Sequence, residues 1–253
     1  MRRRSLIAAT AAALAAPVLL RPGRARADGA EPVDVELILA VDVSRSVDAE
    51  EQELQFRGYE AAFRDPRLIE GIAGGPIGAI SCLLFTWSDW HIQQVQVPWT
   101  KLDGARACNG FADAIAAAPR QTHLYTSISG AMDFAAKQFG RRFEGMRRVV
   151  DISGDGVNNS GRPVAEARAE ALDQGIVLNG LAVLDKAPSP LALAGAIPPL
   201  DEYYRDEVIG GPGSFLVVAE GFTAFEAAVR RKIIREIAMA PPPGAPLVER
   251  VLA

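Results

Sequence analysis

The sequence predicts a three-layer α/β fold: a mostly parallel six-stranded sheet, one strand antiparallel, with helices on both faces. Three observations carry that prediction. Near-continuous apolar runs recur along the chain, as strands buried on both faces require. Segments with apolar residues every three or four positions alternate with them, as helices covering a sheet require. No internal repeat or long linker divides the chain after residue 27, and 49% hydrophobic with 23% charged residues is a globular composition that excludes disorder, collagen-like repeats and coiled coil.

The elements follow in order. Val33 to Val43 contains Val35, Leu37, Ile38, Leu39, Ala40 and Val41 and predicts a central strand. Asp48 with Glu51 three residues on is a helix start, continued by Phe56, Tyr59 and Phe63. Gly78 to Trp87 is the second strand, and Gln93 to Pro98 alternates close behind it, predicting an antiparallel hairpin partner. Phe111 to Ala117 reads as a short helix. Ile128, Met132, Ala135 and Phe139 form another helical stripe, closed by Gly140. Val149 to Ser153 is a buried strand, and Pro163 and Gly175 bracket the next helix. Ile176 to Val183 and Phe215 to Ala219 are the last strands. Thr223 and Glu226 open a final helix whose Phe225, Val229, Ile233 and Ile237 face inward. Leu184 to Ser214 is a long proline- and glycine-bearing excursion.

Both ends lie outside this pattern. Arg2, Arg3 and Arg4, an apolar run from Leu6 to Leu20 and Ala25-Arg26-Ala27 read as an export signal over residues 1–27, with a loose twin-arginine start. The run is shorter than the roughly 20 residues a membrane helix needs, an uncleaved anchor being the alternative reading. The domain is expected over 28–239 and a proline-rich tail over 240–253. The chain is expected in the periplasm or secreted, with no membrane span after the signal. Losing residues 1–27 removes six arginines and no acid, taking the formal charge from −4 to −10. So acidic a protein is a poor ligand for nucleic acid. In an oxidising compartment Cys82 and Cys108 are expected to pair, buried thiols being the alternative.

Three segments at element ends carry the chemistry: Asp42-Val43-Ser44-Arg45-Ser46, Thr126-Ser127-Ile128-Ser129-Gly130 and Ser153-Gly154-Asp155-Gly156. Taken singly, Ser44, Ser46 and Thr126 read as helix caps and Asp155-Gly156 as a turn, with Asn158 and Asn159 shaping the same loop. Together, two acids and three hydroxyls at the carboxyl ends of parallel strands make an all-oxygen site. Such a site suits Mg²⁺, with Mn²⁺ or Ca²⁺ as alternatives. In this order, Asp42, Ser44, Ser46, Thr126 and Asp155 resemble the metal-ion-dependent adhesion site of the von Willebrand factor type A fold, which is Rossmann-like. With Tyr203-Tyr204-Arg205-Asp206 and Gly210-Gly211-Pro212-Gly213, the chain is also similar to a bacterial secreted von Willebrand A-like family described as a domain of unknown function.

The resemblance implies that Ser44 and Ser46 bind the ion directly and Thr126 in one conformational state. It further implies that Asp42 and Asp155 bind it directly or through water, and that a protein partner's Asp or Glu fills the open position. Two features depart from the family pattern: Leu124-Tyr125 replace the usual glycines before the threonine, and Arg45 sits inside the first motif, where it could compete for the carboxylates. The expected function is therefore an exported protein-binding module, not an enzyme. The alternatives are a hydrolase using the same ion and a metal-free scaffold. No G-x-S-x-G elbow or phosphate-binding glycine-lysine loop is present, and Ser44 stands where a carboxylate phosphatase needs its second acid. His123 is near enough in sequence to border the site, but reads more simply as a surface or satisfied core residue. Trp87, Trp90 and Trp99 read as core, with an exposed recognition edge as the minority reading.

Overall fold

The computed structural model describes residues 29–184, 194, 197–237 and 247–252. Its strands are β1 (Glu31–Asp42), β2 (Ile80–Trp87), β3 (Gln93–Leu102), β4 (Phe143–Gly154), β5 (Ile176–Val183), β6 (Phe215–Ala219) and β7 (Leu247–Val251). They pair in the order β3-β2-β1-β4-β5-β6-β7. The β2–β3 pair is antiparallel and the other five are parallel. The sheet thus has seven strands where the sequence predicts six. The seventh falls in the stretch expected to be a tail: Glu249 and Arg250 interrupt its short apolar run, as in many edge strands, and pairing with β6 makes it a strand.

The helices are α1 (Ala49–Arg64), α2 (Pro66–Ala73), α3 (Ala105–Ala116), α4 (Ile128–Ala136), α5 (Val164–Asp173), α6 (Leu200–Tyr203) and α7 (Phe225–Ile237). A π-helical turn, Tyr204–Val208, continues α6 directly. Asp48 caps α1 with the capping box that its spacing to Glu51 predicts. α2 has no counterpart among the elements expected from the sequence, although Asp65 at its N-cap and Pro66 at its first position signal it. α7 is entered through a 3₁₀ turn, Phe222–Ala224, instead of a Thr223 cap.

Strand alternation sorts the core into two layers. Val35, Leu37, Leu39 and Val41 of β1 pack with Phe56, Phe63, Phe111 and Phe225 under α1, α3 and α7. Ile38 and Ala40 face the other way, into Phe85, Ile128, Met132, Ile152 and Tyr204 under α4, α5 and the π turn. Asp42, next in that even-numbered series, therefore leaves β1 on the Tyr204 side. β2 and β4 flank β1, so the winding reverses between β1 and β4, and their carboxyl ends open the crevice where doubly wound sheets bind ligands.

The export signal expected over residues 1–27 lies outside the described residues, as does part of the excursion after Leu184. No helix among the described residues is long and apolar enough to cross a membrane. The expected disulfide is absent: Cys82 and Cys108 are free thiols buried in the same core layer, packed as small apolar groups. Burial raises Cys82 well above the ordinary thiol range and Cys108 to about 11. Iodoacetamide should accordingly label both residues only after denaturation, with no reductant needed. A single unlabelled, reductant-sensitive pair in the mass spectrum would show a bridge instead.

Candidate metal centre

The five residues singled out in the sequence gather at the crevice between β1 and β4. Asp42 is the last residue of β1 and completely buried. Its Oδ1 accepts the Ser44 backbone N–H at 2.7 Å, a turn that sends both serines back over the strand end. The Ser44 and Ser46 hydroxyls lie 3.1 Å apart, and Ser46 Oγ donates to Asp155 Oδ1 at 2.6 Å. Asp155 directly follows β4. Thr126 is buried and faces the same loop, since a Cβ on Gly156 would stand 3.5 Å from its Oγ1.

None of the three hydroxyl residues acts as a helix cap. Asp48 caps α1 and Ser127 caps α4, its side chain accepting from Gly130 N–H. Thr126 is instead fixed through its backbone. Its N–H donates to Asn159 Oδ1 at 2.9 Å, and its carbonyl accepts from Asn159 and Ser160 N–H. Asn158 reaches the same helix start, accepting from Ser129 N–H at 3.1 Å. The two asparagines, expected only to shape the Asp155 loop, thus also tie it to the Thr126 segment.

Electrostatics at this point are unfavourable without a cation. Asp42 Oδ2 is buried and has no hydrogen-bond partner, a rare condition for a carboxylate oxygen. Burial, and then repulsion from Asp155, push the Asp42 carboxyl up to about 8, with the Ser44 hydrogen bonds only partly opposing them. Among the described residues no group of three or more His, Cys, Asp or Glu is placed to hold a metal. Any ion here must therefore be held mainly by hydroxyls and two carboxylates, a donor set for a hard divalent cation rather than a soft one. The residues present fit such an ion.

Sequence reasoning misses one member of the site. Tyr204, on the π turn, is completely buried, and its hydroxyl has no hydrogen-bond partner. A Cβ on Gly154 would meet that hydroxyl at 2.7 Å and Asp42 Oδ2 at 2.8 Å, so both atoms crowd the one glycine that separates them. Burial and the charges of Asp42 and Asp155 push the phenol well above its usual range, keeping it a proton donor beside the carboxylates. Its neighbour Tyr203 accepts from Asn158 N–H at 3.4 Å. The available signal was the Tyr203-Tyr204 pair itself, although a tyrosine in a charged stretch reads first as packing. Gly154→Ala should cost about 1–3 kcal/mol and impair any ligand binding at Asp42. Urea unfolding of the variant checks this, and unchanged stability would mean that Tyr204 has room to retreat.

Arg45 is exposed and makes no ion pair among the described residues. The three tryptophans divide. Trp87 is fully buried, Trp99 packs against Phe139 and Phe143, and Trp90 is 61% exposed. His123 does border the site: its N–H donates to Val43 O at 3.0 Å, bridging to Ser44.

Solved structures share this architecture. The chain is similar to proximal thread matrix protein 1 from the mussel byssus, with TM-score 0.59 and 12% identity over 81% of this chain and 48% of that one. A second structure of that mussel protein is described as having a zinc-occupied metal-ion-dependent adhesion site motif. A von Willebrand factor type A protein from Catenulispora acidiphila gives TM-score 0.54 and 12% identity, over 81% of this chain and 43% of that one. The pilus adhesin SpaC from Lactobacillus rhamnosus GG gives 0.57 and 14%, over 82% and 31%. The chain spans less than half the length of each. These likenesses show the fold, a von Willebrand factor type A-like α/β domain. No curated protein sequence matches the chain. The family described as "Protein of unknown function (DUF1194)" matches residues 32–241, and the chain belongs to it.

Proposed function

We propose that the protein is an exported von Willebrand A-like module that holds a divalent cation at Asp42, Ser44, Ser46, Thr126 and Asp155. Through that ion it binds a protein partner's Asp or Glu. The observation that supports this most is the buried, unpartnered Asp42 Oδ2 beside a second carboxylate. Such a pair is unfavourable unless protonated or neutralised. When bound, the ion supplies positive charge on which a partner's carboxylate can rest. Ser44 and Ser46 orient toward it through the turn at Asp42, and Asn158 and Asn159 keep Thr126 opposite Asp155. Mg²⁺ suits the all-oxygen donors best, while the mussel protein's zinc is a property of that protein. Export follows from the reading of residues 1–27.

Calorimetry with Mg²⁺, Mn²⁺ and Ca²⁺ at several pH values tests the ion. Binding displaces the proton that Asp42 holds up to about 8, so Mg²⁺ affinity should rise toward tenfold per pH unit between pH 6 and 8, then level off. Proton release measured in two buffers should approach one per ion over that range. Absence of binding heat at every pH, or affinity flat across it, would remove Asp42 from the site.

A further inference from the structure

Beside the metal centre lies a cleft of about 320 Å³ whose lining includes Arg45, Asp89, His91, Thr122, His123 and Tyr125. Arg45 stands between the two serines in sequence, and its exposed side chain lines this cleft beside His123 and Tyr125. The chain's formal charge is −4, yet this guanidinium makes no ion pair among the described residues. Asp89 is the one acid of the lining, and its Oδ1 is already engaged by Trp90 N–H at 2.7 Å and by the Ser160 hydroxyl. Both histidines of the chain face the same cleft.

Large apolar side chains stand exposed around it. Leu124 is 64% and Tyr125 52% exposed immediately before Thr126, and Trp90 is 61% exposed. Trp90 is held against the start of α4, its backbone 2.9 Å from where a Gly130 Cβ would be. Its ring lies 5.0 Å from that of His91. Exposed Trp, Leu and Tyr side chains are costly in water, and aromatic and arginine side chains are the usual anchors of protein interfaces. Both departures from the von Willebrand A pattern, Arg45 and Leu124-Tyr125, therefore sit on one rim.

We propose that this rim recognises an extended acidic protein segment. One carboxylate of the segment rests on the ion and a second, within three residues of the first, on Arg45. An apolar side chain packs against Trp90, Leu124 and Tyr125. The inference rests on the ion-dependent reading above and adds the partner's second acid and apolar residue to it. Alternate residues of an extended chain are about 6.6 Å apart and share a face, a span that a long arginine side chain beside the ion can meet. Leu124 favours an apolar peptide side chain over a sugar ring.

The test is selection of a random dodecapeptide phage library on the purified full-length chain in Mg²⁺, with elution by chelator. Chelator-eluted clones should carry two acids within three residues and a neighbouring Leu, Ile, Phe or Trp. The corresponding synthetic peptides should bind about tenfold more weakly to Arg45→Gln and to Trp90→Ala, while Mg²⁺ affinity by calorimetry stays within about threefold. Reselection on Arg45→Gln should lose the second acid and keep the first. Chelator-sensitive clones with a single acid, binding both variants as well as the wild type, would overturn this inference and leave the ion-bridged reading standing. Selection that yields no chelator-eluted clones would overturn both. Displacement of the peptides by polygalacturonate, with direct Mg²⁺-dependent binding of that polymer lost in Arg45→Gln, would assign the rim to an acidic polysaccharide and overturn the protein segment.

Discussion

Asp42→Asn is expected to abolish the Mg²⁺ binding proposed above and to leave the metal-free protein at least as stable as the wild type. The amide keeps the shape of the carboxylate and can still accept the Ser44 N–H through Oδ1. What it removes is charge, on which a divalent ion depends. Losing an outer-sphere partner of a metal ligand already costs about 10- to 100-fold in affinity, so losing the ligand's own charge should exceed 100-fold. The stability effect has the opposite sign. In the wild type without metal, Asp42 titrates at about 8 against 3.8 ordinarily, so the folded state binds more protons than the unfolded between those values. Stability therefore falls as pH rises through that window, and the amide, which does not titrate, escapes the loss. The variant's advantage in metal-free urea unfolding should grow from pH 4 to pH 8 and then hold. Calorimetry and unfolding together decide the matter: a variant that keeps Mg²⁺ binding is incompatible with Asp42 as a ligand. One that loses both binding and metal-free stability indicates a merely structural aspartate.

How much of this was legible in the sequence varies with the kind of signal. β5 and β6 end where their apolar runs end, because both strands stay apolar up to their ends, Asn179 inside β5 being the one polar residue of the two. β1 and β2 differ from their runs by one or two residues at the ends, but β4 begins at Phe143, well before its apolar run, because charged positions such as Arg147 and Arg148 precede Val149. Arg148 pairs with Glu36 of β1 at 3.3 Å. α3 starts at Ala105 instead of Phe111 because its first turn contributes only Cys108 to the core. The convergence of four of the five candidate residues was readable, since local chain geometry fixes Asp42, Ser44 and Ser46 and a strand end fixes Asp155. Thr126, by contrast, is brought to them by the asparagines of the Asp155 loop. Tyr204 was not readable. Its nearness to Asp42 depends on a π turn more than 160 positions away in the chain, and π turns have no sequence period. Lys232 belongs to a third class. It lies on the inward stripe of α7, between Val229 and Glu236 at helical spacing, but a lysine on that stripe is read by habit as solvated.

Lys232 should carry the largest single contribution to stability. Its ammonium is completely buried between Asp151 of β4, at 2.5 Å, and Glu236 of α7, at 3.0 Å. Asn179 of β5 donates to Glu236 at 2.7 Å and accepts from Phe215 N–H of β6 at 2.9 Å, so one cation ties α7 to three strands. Burial raises both carboxyls, and the lysine pulls them back down. Lys232→Met fills most of the same space but strands two buried carboxylates. Breaking a buried pair in this way costs about 3–5 kcal/mol, a fall in Tm of roughly 10 °C for a domain of this size. The deficit should shrink as pH falls: the orphaned carboxyls then take up protons in the folded state, their folded pKa values having been raised further, and stability recovers in acid. Adding Asp151→Asn and Glu236→Gln to Lys232→Met should restore much of the loss, because a neutral network has no unbalanced charge to bury. Thermal melts of the wild type, the single and the triple variant at pH 5 and pH 8 make the comparison. A pH-independent deficit that the triple variant does not relieve would show that Lys232 acts through packing and not through its charge.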